Sequence, residues 1–399
     1  MHISKRAVEM QASPIRKLTP YANVAKKRGL KVYHLNIGQP DIETPKIMID
    51  VYKNFNEQIL AYGPSQGLDI YVNSLITYYQ NFGITLNAED ICVTVAGSEA
   101  IIFTLMVCCN PDDQVIVFEP FYTNYNSFAK MAGVNLVSIT TVAENGFALP
   151  PQDKIEALIN SRTKAILVCN PGNPTGTVYS KAEMEMLGTI AQKHNLFLIS
   201  DEVYREFVYE GEQCPSVLAI KGLEHLTILC DSVSKRYSAC GARIGCIVSR
   251  NQELMAMVLK FAQARLCPPT IDQMAAAACS NLPASYMEKV LAEYRQRRDF
   301  VYQELTKIAG LVCVKPRGAF YIIAKLPIEN TEDFIIWLLE HYQIENETVM
   351  MAPAEGFYAT PGLGKNELRL AYVLNLNDLK KAMRIFSSGL AEYIAQYHS

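Results

Sequence analysis

Leu226-Thr227-Ile228-Leu229-Cys230-Asp231-Ser232-Val233-Ser234-Lys235 is an apolar, β-rich run that ends abruptly in a polar tail carrying a lysine. Short apolar runs with polar ends read as strands buried on both faces, as in parallel sheets. Working outward, the same signature recurs at residues 91–95, 115–118, 134–139, 165–169 and 196–200 upstream, and at 244–248 downstream. Helical patterns fall between them at 99–109, 121–131 and 181–194, the last with Met184, Leu187, Ile190 and Ala191 at helical spacing. Seven strands alternating with helices predict an α/β fold: a large domain, residues 46–284, on a mostly parallel seven-stranded sheet covered on both faces.

Further along, the pattern changes. Helical runs at 252–264 and from 285 to about 308 lead into fewer strands, at 312–315, 319–326, 348–351 and 367–372, and a last helix from 376 to about 396. This predicts a smaller α+β domain made of residues 285–399 together with the N-terminal segment 1–45. Two domains also suit 399 residues, half of them apolar, because a single core rarely grows past ~250–300 residues.

Composition removes several function classes. The formal net charge is -3, and basic residues cluster only briefly, as at Lys26-Lys27-Arg28 and Arg295-Gln296-Arg297-Arg298, so no nucleic-acid partner is expected. Residues 1–11 mix Lys5, Arg6 and Glu9 with isolated apolar residues, which is no secretory signal, and a cytoplasmic location is expected. The longest apolar stretch, 91–109, is broken by Gly97-Ser98-Glu99, which suits a strand, a turn and a buried helix better than a membrane span. The eleven cysteines include no Cys-x-x-Cys and the six histidines no zinc-binding spacing, so buried free thiols and no metal are expected. Gly362-Leu363-Gly364-Lys365 is followed by Asn366 rather than Ser or Thr, which spoils a phosphate loop. No G-x-G-x-x-G follows a strand to support a nicotinamide enzyme.

In a parallel α/β sheet, ligands collect beyond the carboxyl ends of the strands. The residues there are Ala96-Gly97-Ser98-Glu99-Ala100, Asn170-Pro171-Gly172-Asn173-Pro174-Thr175-Gly176, Asp201-Glu202-Val203-Tyr204 and Asp231-Ser232-Val233-Ser234-Lys235, with Gly241-Ala242-Arg243-Ile244-Gly245 following. Singly, each has an ordinary explanation as a cap, a turn or a surface lysine. Their joint placement at one sheet's ends does not. Asn173-Pro174-Thr175-Gly176, Asp201-Glu202-Val203-Tyr204 and Ser232-Val233-Ser234-Lys235, with Arg243 eight positions later, resemble the class I/II aminotransferases, pyridoxal-phosphate enzymes of fold type I. The resemblance runs from Gly38 to Arg369.

That resemblance implies a role for each matching residue. Lys235 would hold the aldehyde of pyridoxal 5'-phosphate as a Schiff base and later move the substrate's α-proton. Asp201 would keep the pyridine nitrogen protonated, so that the ring can draw electrons from the substrate. Asn173 and Tyr204 would hydrogen-bond the ring's phenolic oxygen, and Tyr122 would stack on the ring face. Gly97 and Ser98, opening a helix after a strand, would receive the phosphate with Ser232, Ser234 and Arg243. Tyr62 would reach it from the neighbouring subunit of a homodimer.

Arg369 matches the family's arginine for the substrate α-carboxylate, with the backbone N–H of Gly38 beside it and Asn173 nearby. The reaction implied moves an amino group between an L-amino acid and a 2-oxo acid. A lyase or decarboxylase could use the same residues, and a regulatory binding protein on this fold is a third reading, although the residues before Gly38 leave no room for a DNA-binding module. A medium-sized or aromatic side chain is expected, with dicarboxylic acids as exchange partners. Tyr21, Tyr122, Tyr125 and Tyr358 are candidates for the pocket wall, for the core or for an interface. Where aspartate-specific relatives supply a second arginine from the neighbouring subunit, Ala262 stands here; a clear preference for aspartate that disappears in Arg265→Ala would overturn this expectation and make Arg265 the side-chain reader.

Overall fold

The computed structural model describes residues 2–211 and 213–397. Its strands, in chain order, are β1 (Lys31–His34), β2 (Ile91–Thr94), β3 (Gln114–Glu119), β4 (Asn135–Thr140), β5 (Thr163–Cys169), β6 (Phe197–Asp201), β7 (Thr227–Ser232), β8 (Gly245–Val248), β9 (Val312–Cys313), β10 (Tyr321–Lys325), β11 (Glu347–Met350), β12 (Ala352–Pro353) and β13 (Glu367–Ala371). The central sheet has the order β2-β8-β7-β6-β5-β3-β4. Every pairing in it is parallel except those of β8, which runs antiparallel to both β2 and β7. That reversal brings the residues entering β8, Arg243 among them, to the edge where β2 and β7 end.

Strict alternation along the strands builds two cores, one on each face of the sheet. Ile116, Ile166, Leu198 and Leu229 pack on one side, and Val115, Val117, Leu167, Ile199 and Ile228 on the other. A third core joins β1, β10, β11 and β13 to the helices Thr331–His341 and Leu376–Tyr397 through Phe320, Phe334, Leu370 and Phe386. Around it, β12-β13-β10-β9 form an antiparallel sheet and β1 pairs in parallel with β11. Leu35 ties these together: its N–H donates to Met350 and its carbonyl accepts from Ala371, both at 2.8 Å. The chain thereby lays Asn36 and Gly38 alongside the end of β13.

The seven central strands lie within one or two residues of their sequence-derived limits, and the differences have local causes. Strand β2 stops at Thr94 because Val95 leaves extended geometry and Ala96 takes φ 60° to open the helix Ala96–Cys108. The expected helix at 121–131 begins only at Asn124, since Phe121 and Tyr122 still run on from Pro120. The strand expected at 312–315 ends at Cys313. The one expected from 319 starts at Tyr321, after Ala319 has turned through φ 53°. Among the described residues no helix is long and apolar enough to cross a membrane, no group of His, Cys, Asp and Glu is arranged to hold a metal ion, and all eleven cysteines are free thiols.

Candidate active site

Twelve of the thirteen residues singled out above line one cavity of about 410 Å³ at the carboxyl edge of the central sheet. Strand ends place them: Asp201 closes β6, Ser232 closes β7, and Ser234 and Lys235 sit on the one-turn helix Val233–Arg236 that follows. The far wall comes from the smaller sheets through Tyr321 of β10 and Arg369 of β13. Only Tyr62 is missing from the lining; it is 82% exposed on the surface of this chain.

The Lys235 ammonium donates to the Gly38 carbonyl at 2.7 Å and lies 3.7 Å from Cys240 Sγ. Burial pulls its pKa below that of an ordinary lysine, and the cations Arg369 and Arg243 add to the effect against the opposing influence of Cys240. This direction favours the neutral amine, the form that acts as a nucleophile. Gly38 is a position no larger residue could fill as it stands, because a Cβ there would fall 1.8 Å from the Tyr321 hydroxyl. That hydroxyl is itself held by Tyr204, at 2.8 Å.

Asp201 is buried, and burial pushes its pKa up to about 6 despite a 2.7 Å hydrogen bond from the Tyr125 hydroxyl and a 3.3 Å one from the Val203 N–H. No salt bridge reaches it among the described residues. A buried carboxylate in this condition favours a cationic neighbour, and a protonated pyridine nitrogen supplies one. Arg369 is the converse case, a guanidinium 1% exposed. It donates to Asn173 Oδ1 at 2.9 Å and to the Asn36 carbonyl at 2.5 Å, lies over the rings of Tyr321 and Phe357, and has no partner for Nε. No described acid pairs with it, so the cavity offers it to an anion.

At the opposite end, the Ser232 and Ser234 hydroxyls stand 2.7 Å apart, beside the first turn of Ala96–Cys108, where Gly97 and Ser98 present N–H groups with no helical partner. Arg243 holds the left-handed conformation at φ 56° and anchors Nη1 on the Cys240 carbonyl at 2.9 Å. Gly245 makes this closeness possible: a Cβ there would come within 2.6–2.8 Å of backbone atoms of Ala96, Asp231 and Gly97. Anion donors at one end, a buried carboxylate and an amine in the middle and a carboxylate-ready arginine at the other fit pyridoxal phosphate with an amino acid beside it.

Some expectations change. Of the four tyrosines weighed for the pocket, only Tyr122 lines it. Tyr21 packs against the third core, Tyr358 is buried and donates to Glu367 at 2.6 Å, and Tyr125 lies in the core beneath Asp201. Ala262 is fully buried and reads nothing. Within this chain Arg265 is engaged with Glu99 at 3.4 Å and with the carbonyls of Ser65 and Val93. The sequence reading did not single out Tyr321, Cys240 or the role of Tyr125. Tyr125 alone left a trace, three positions after Tyr122 on a helical pattern.

Comparison with known proteins agrees with this geometry. The sequence model of the family described as aminotransferase class I and II matches residues 31–386. An aspartate aminotransferase of Bacillus subtilis is 30% identical over 96% of this chain and 97% of its own length. In structure, an alanine aminotransferase from Pyrococcus furiosus superposes with a TM-score of 0.89 at 31% identity, covering 98% of this chain and all 100% of its own. An aspartate aminotransferase from Thermus thermophilus solved with maleate gives 0.86 at 27% identity, with 98% and 100% covered. The chain belongs to the class I and II aminotransferases, pyridoxal-phosphate-dependent enzymes that exchange amino groups between amino acids and 2-oxo acids.

Proposed function

We propose that the cavity residues divide the aminotransferase reaction as follows. Bound pyridoxal phosphate supplies an aldehyde that condenses with amines and a ring that withdraws electrons from the carbon next to the nitrogen. Lys235 Nζ would hold the cofactor's aldehyde and, as a free amine, would carry the substrate's α-proton. Asp201 keeps a proton on the ring nitrogen, with Tyr125 fixing the carboxylate's orientation. Tyr204 and Asn173 orient the ring through its oxygen, and Tyr122 holds its plane. Gly97, Ser98, Ser232, Ser234 and Arg243 hold the phosphate. Arg369 takes the substrate carboxylate, with Gly38 and Asn173 beside it.

The observation that carries this reading is the pairing, in one cavity, of the buried Arg369 guanidinium, which no acid among the described residues pairs, and a lysine whose proton is loosened by burial. It is tested by mixing holoenzyme with an amino acid alone. One equivalent of 2-oxo acid per site should appear while the cofactor becomes pyridoxamine phosphate, and sustained turnover without an acceptor would instead make the enzyme a lyase.

For the side chain, Ile15, Ile37, Phe128 and Tyr122 in the lining support a medium-sized or aromatic group. Arg16 at the same cavity, exposed and without a salt bridge among the described residues, supports dicarboxylic acids as partners in the exchange. Values of kcat/KM for aspartate, glutamate, phenylalanine, tyrosine and leucine decide between them. We also propose a division into residues 46–284 and residues 1–45 with 285–399, supported by two cores on the central sheet and a third drawn mainly from the other residues, to which Tyr204, Phe207 and Tyr209 contribute. A homodimer is supported by the exposed Ile59, Leu60 and Tyr62, and a cytoplasmic location by the free thiols.

A further inference from the structure

A second cavity, also about 410 Å³, shares no lining residue with the first. The two lie on opposite faces of the same short segments. On the helix Val233–Arg236, Ser234 and Lys235 line the active-site cavity while Val233 and Arg236 line the second; after β6, Asp201 and Tyr204 line the former while Arg205 and Glu206 line the latter. Leu75, Phe82, Tyr237, Met287 and Leu291 give the second cavity apolar walls. Its volume is in the range of small-molecule sites, roughly 300–1,000 Å³.

Its polar groups are unusual for a void in a core. The Arg205 side chain is 1% exposed, yet its Nε and Nη1 have no hydrogen-bond partner and the nearest acid, Glu202, is 4.0 Å away. Glu202 accepts through Oε1 from Ser216 and the Val217 N–H; its Oε2, which faces Arg205 Nε at that distance, has no hydrogen-bond partner and does not line the cavity. The Glu206 side chain is 6% exposed; Arg236 and the Tyr78 hydroxyl take its Oε1, and Oε2 has no partner. Buried polar groups are nearly always satisfied, and each one that is not asks for a partner. Among the lining residues, and with Arg236 Nε paired to Glu206, the charged groups left are the Nε and Nη1 donors of cationic Arg205 and the Oε2 acceptor of anionic Glu206.

We propose that this cavity binds a free α-amino acid with an apolar or aromatic side chain, its carboxylate on Arg205 and its ammonium on Glu206. Charge selects the zwitterion over a simple anion. Arg205 and Arg236 already share the surroundings with Glu202, Glu206 and Asp231, so an extra negative charge alone would face three carboxylates, whereas a zwitterion sets each of its charges against the opposite one. Such a ligand would press on the back of the two segments that carry Lys235 and Asp201, so its binding would be felt at the cofactor.

The test uses holoenzyme reduced with borohydride, which fixes the cofactor and prevents turnover, in equilibrium dialysis with labelled L-phenylalanine and L-leucine. One site per chain should be weakened at least about tenfold by Arg205→Met and by Glu206→Gln, the loss expected for a charged hydrogen bond. Ala284→Trp, at an exposed rim position, should do the same without removing a charge or disturbing the core. Unreduced variants should keep their cofactor absorbance and their transamination half-reaction, so failure here is distinct from failure of the proposed function. The proposal is overturned if neither amino acid binds beyond what Arg369→Lys removes, or if the three variants give the parent isotherm. Phenylacetate, which lacks the ammonium, should not occupy this site; equal binding by it would overturn the zwitterion assignment.

Discussion

Asp201 shows how a residue placed for the proposed chemistry can work against the stability of the chain that holds it. An ordinary aspartate loses its proton near 3.8, whereas burial holds Asp201 to about 6. Below the lower value both the folded and unfolded chains carry the proton and nothing is gained or lost. Between the two, the folded chain binds the proton more tightly, so stability falls as pH rises through this window and stays reduced above it. The shift corresponds to at most about 3 kcal/mol. Asp201→Asn keeps the acceptor for Tyr125 and removes the charge. It should therefore raise the Tm of the cofactor-free protein at pH 8 and leave it nearly unchanged at pH 3.5, with turnover falling by about 10²–10³ as one strong electrostatic partner is lost. Thermal melts of both proteins at the two pH values, beside steady-state rates, check this; equal melts at pH 8 would show that the carboxylate is not penalised. At the same scale, Lys235→Ala should keep the fold and lose turnover by orders of magnitude, and peptide mapping after borohydride reduction should find the cofactor on Lys235.

Elements position these residues, and their legibility in the sequence followed from where their stability originates. The central strands were readable because burial on both faces leaves an unbroken apolar run whose polar ends mark the active edge, as in β6 ending at Asp201 and β7 at Ser232. The helix Asp69–Gln80 was not. It carries Tyr71, Val72, Ile76, Thr77, Tyr78 and Tyr79, residues of modest helix propensity, and packing of Tyr71, Val72, Leu75 and Tyr79 holds it. Tyr321 escaped for another reason: nothing local in β10 announces that its hydroxyl will meet Tyr204 across the sequence. The approach of β8 to the start of Ala96–Cys108 is a further relation between elements, and it depends on Gly245. Gly245→Ala forces backbone against backbone, where no side chain can yield, so it should destabilise by about 1–3 kcal/mol. It should also weaken cofactor retention at least about tenfold although Gly245 carries no side chain for the phosphate. Denaturant unfolding and cofactor titration would measure the two effects; an unchanged titration would detach this contact from phosphate binding.

For the whole molecule the open question is the missing thirteenth residue. Tyr62 is 82% exposed, next to Ile59 at 79% and Leu60 at 62%, an apolar surface that a soluble monomer has reason to cover. A Cβ built on the neighbouring Gly63 would meet Thr270 and Cys267, and Arg265 donates to the Ser65 carbonyl, so Leu266, 51% exposed, belongs to the same region. A two-fold interface here would bring each Tyr62 to its partner's cavity, because a symmetric contact places the same patch on both chains. The phosphate site of one chain would then be completed by the other. If so, subunits carrying Tyr62→Phe and subunits carrying Lys235→Ala should complement each other. In a hybrid dimer, the site with an intact Lys235 receives an intact Tyr62 from its partner and carries neither lesion, while the second site carries both. After subunit exchange at limiting cofactor, the mixture should exceed the sum of the two parents in activity, and sedimentation should find the active species as a dimer. Strictly additive activities would place Tyr62 in its own chain's site or in none, and an active monomer would end the shared-site reading altogether.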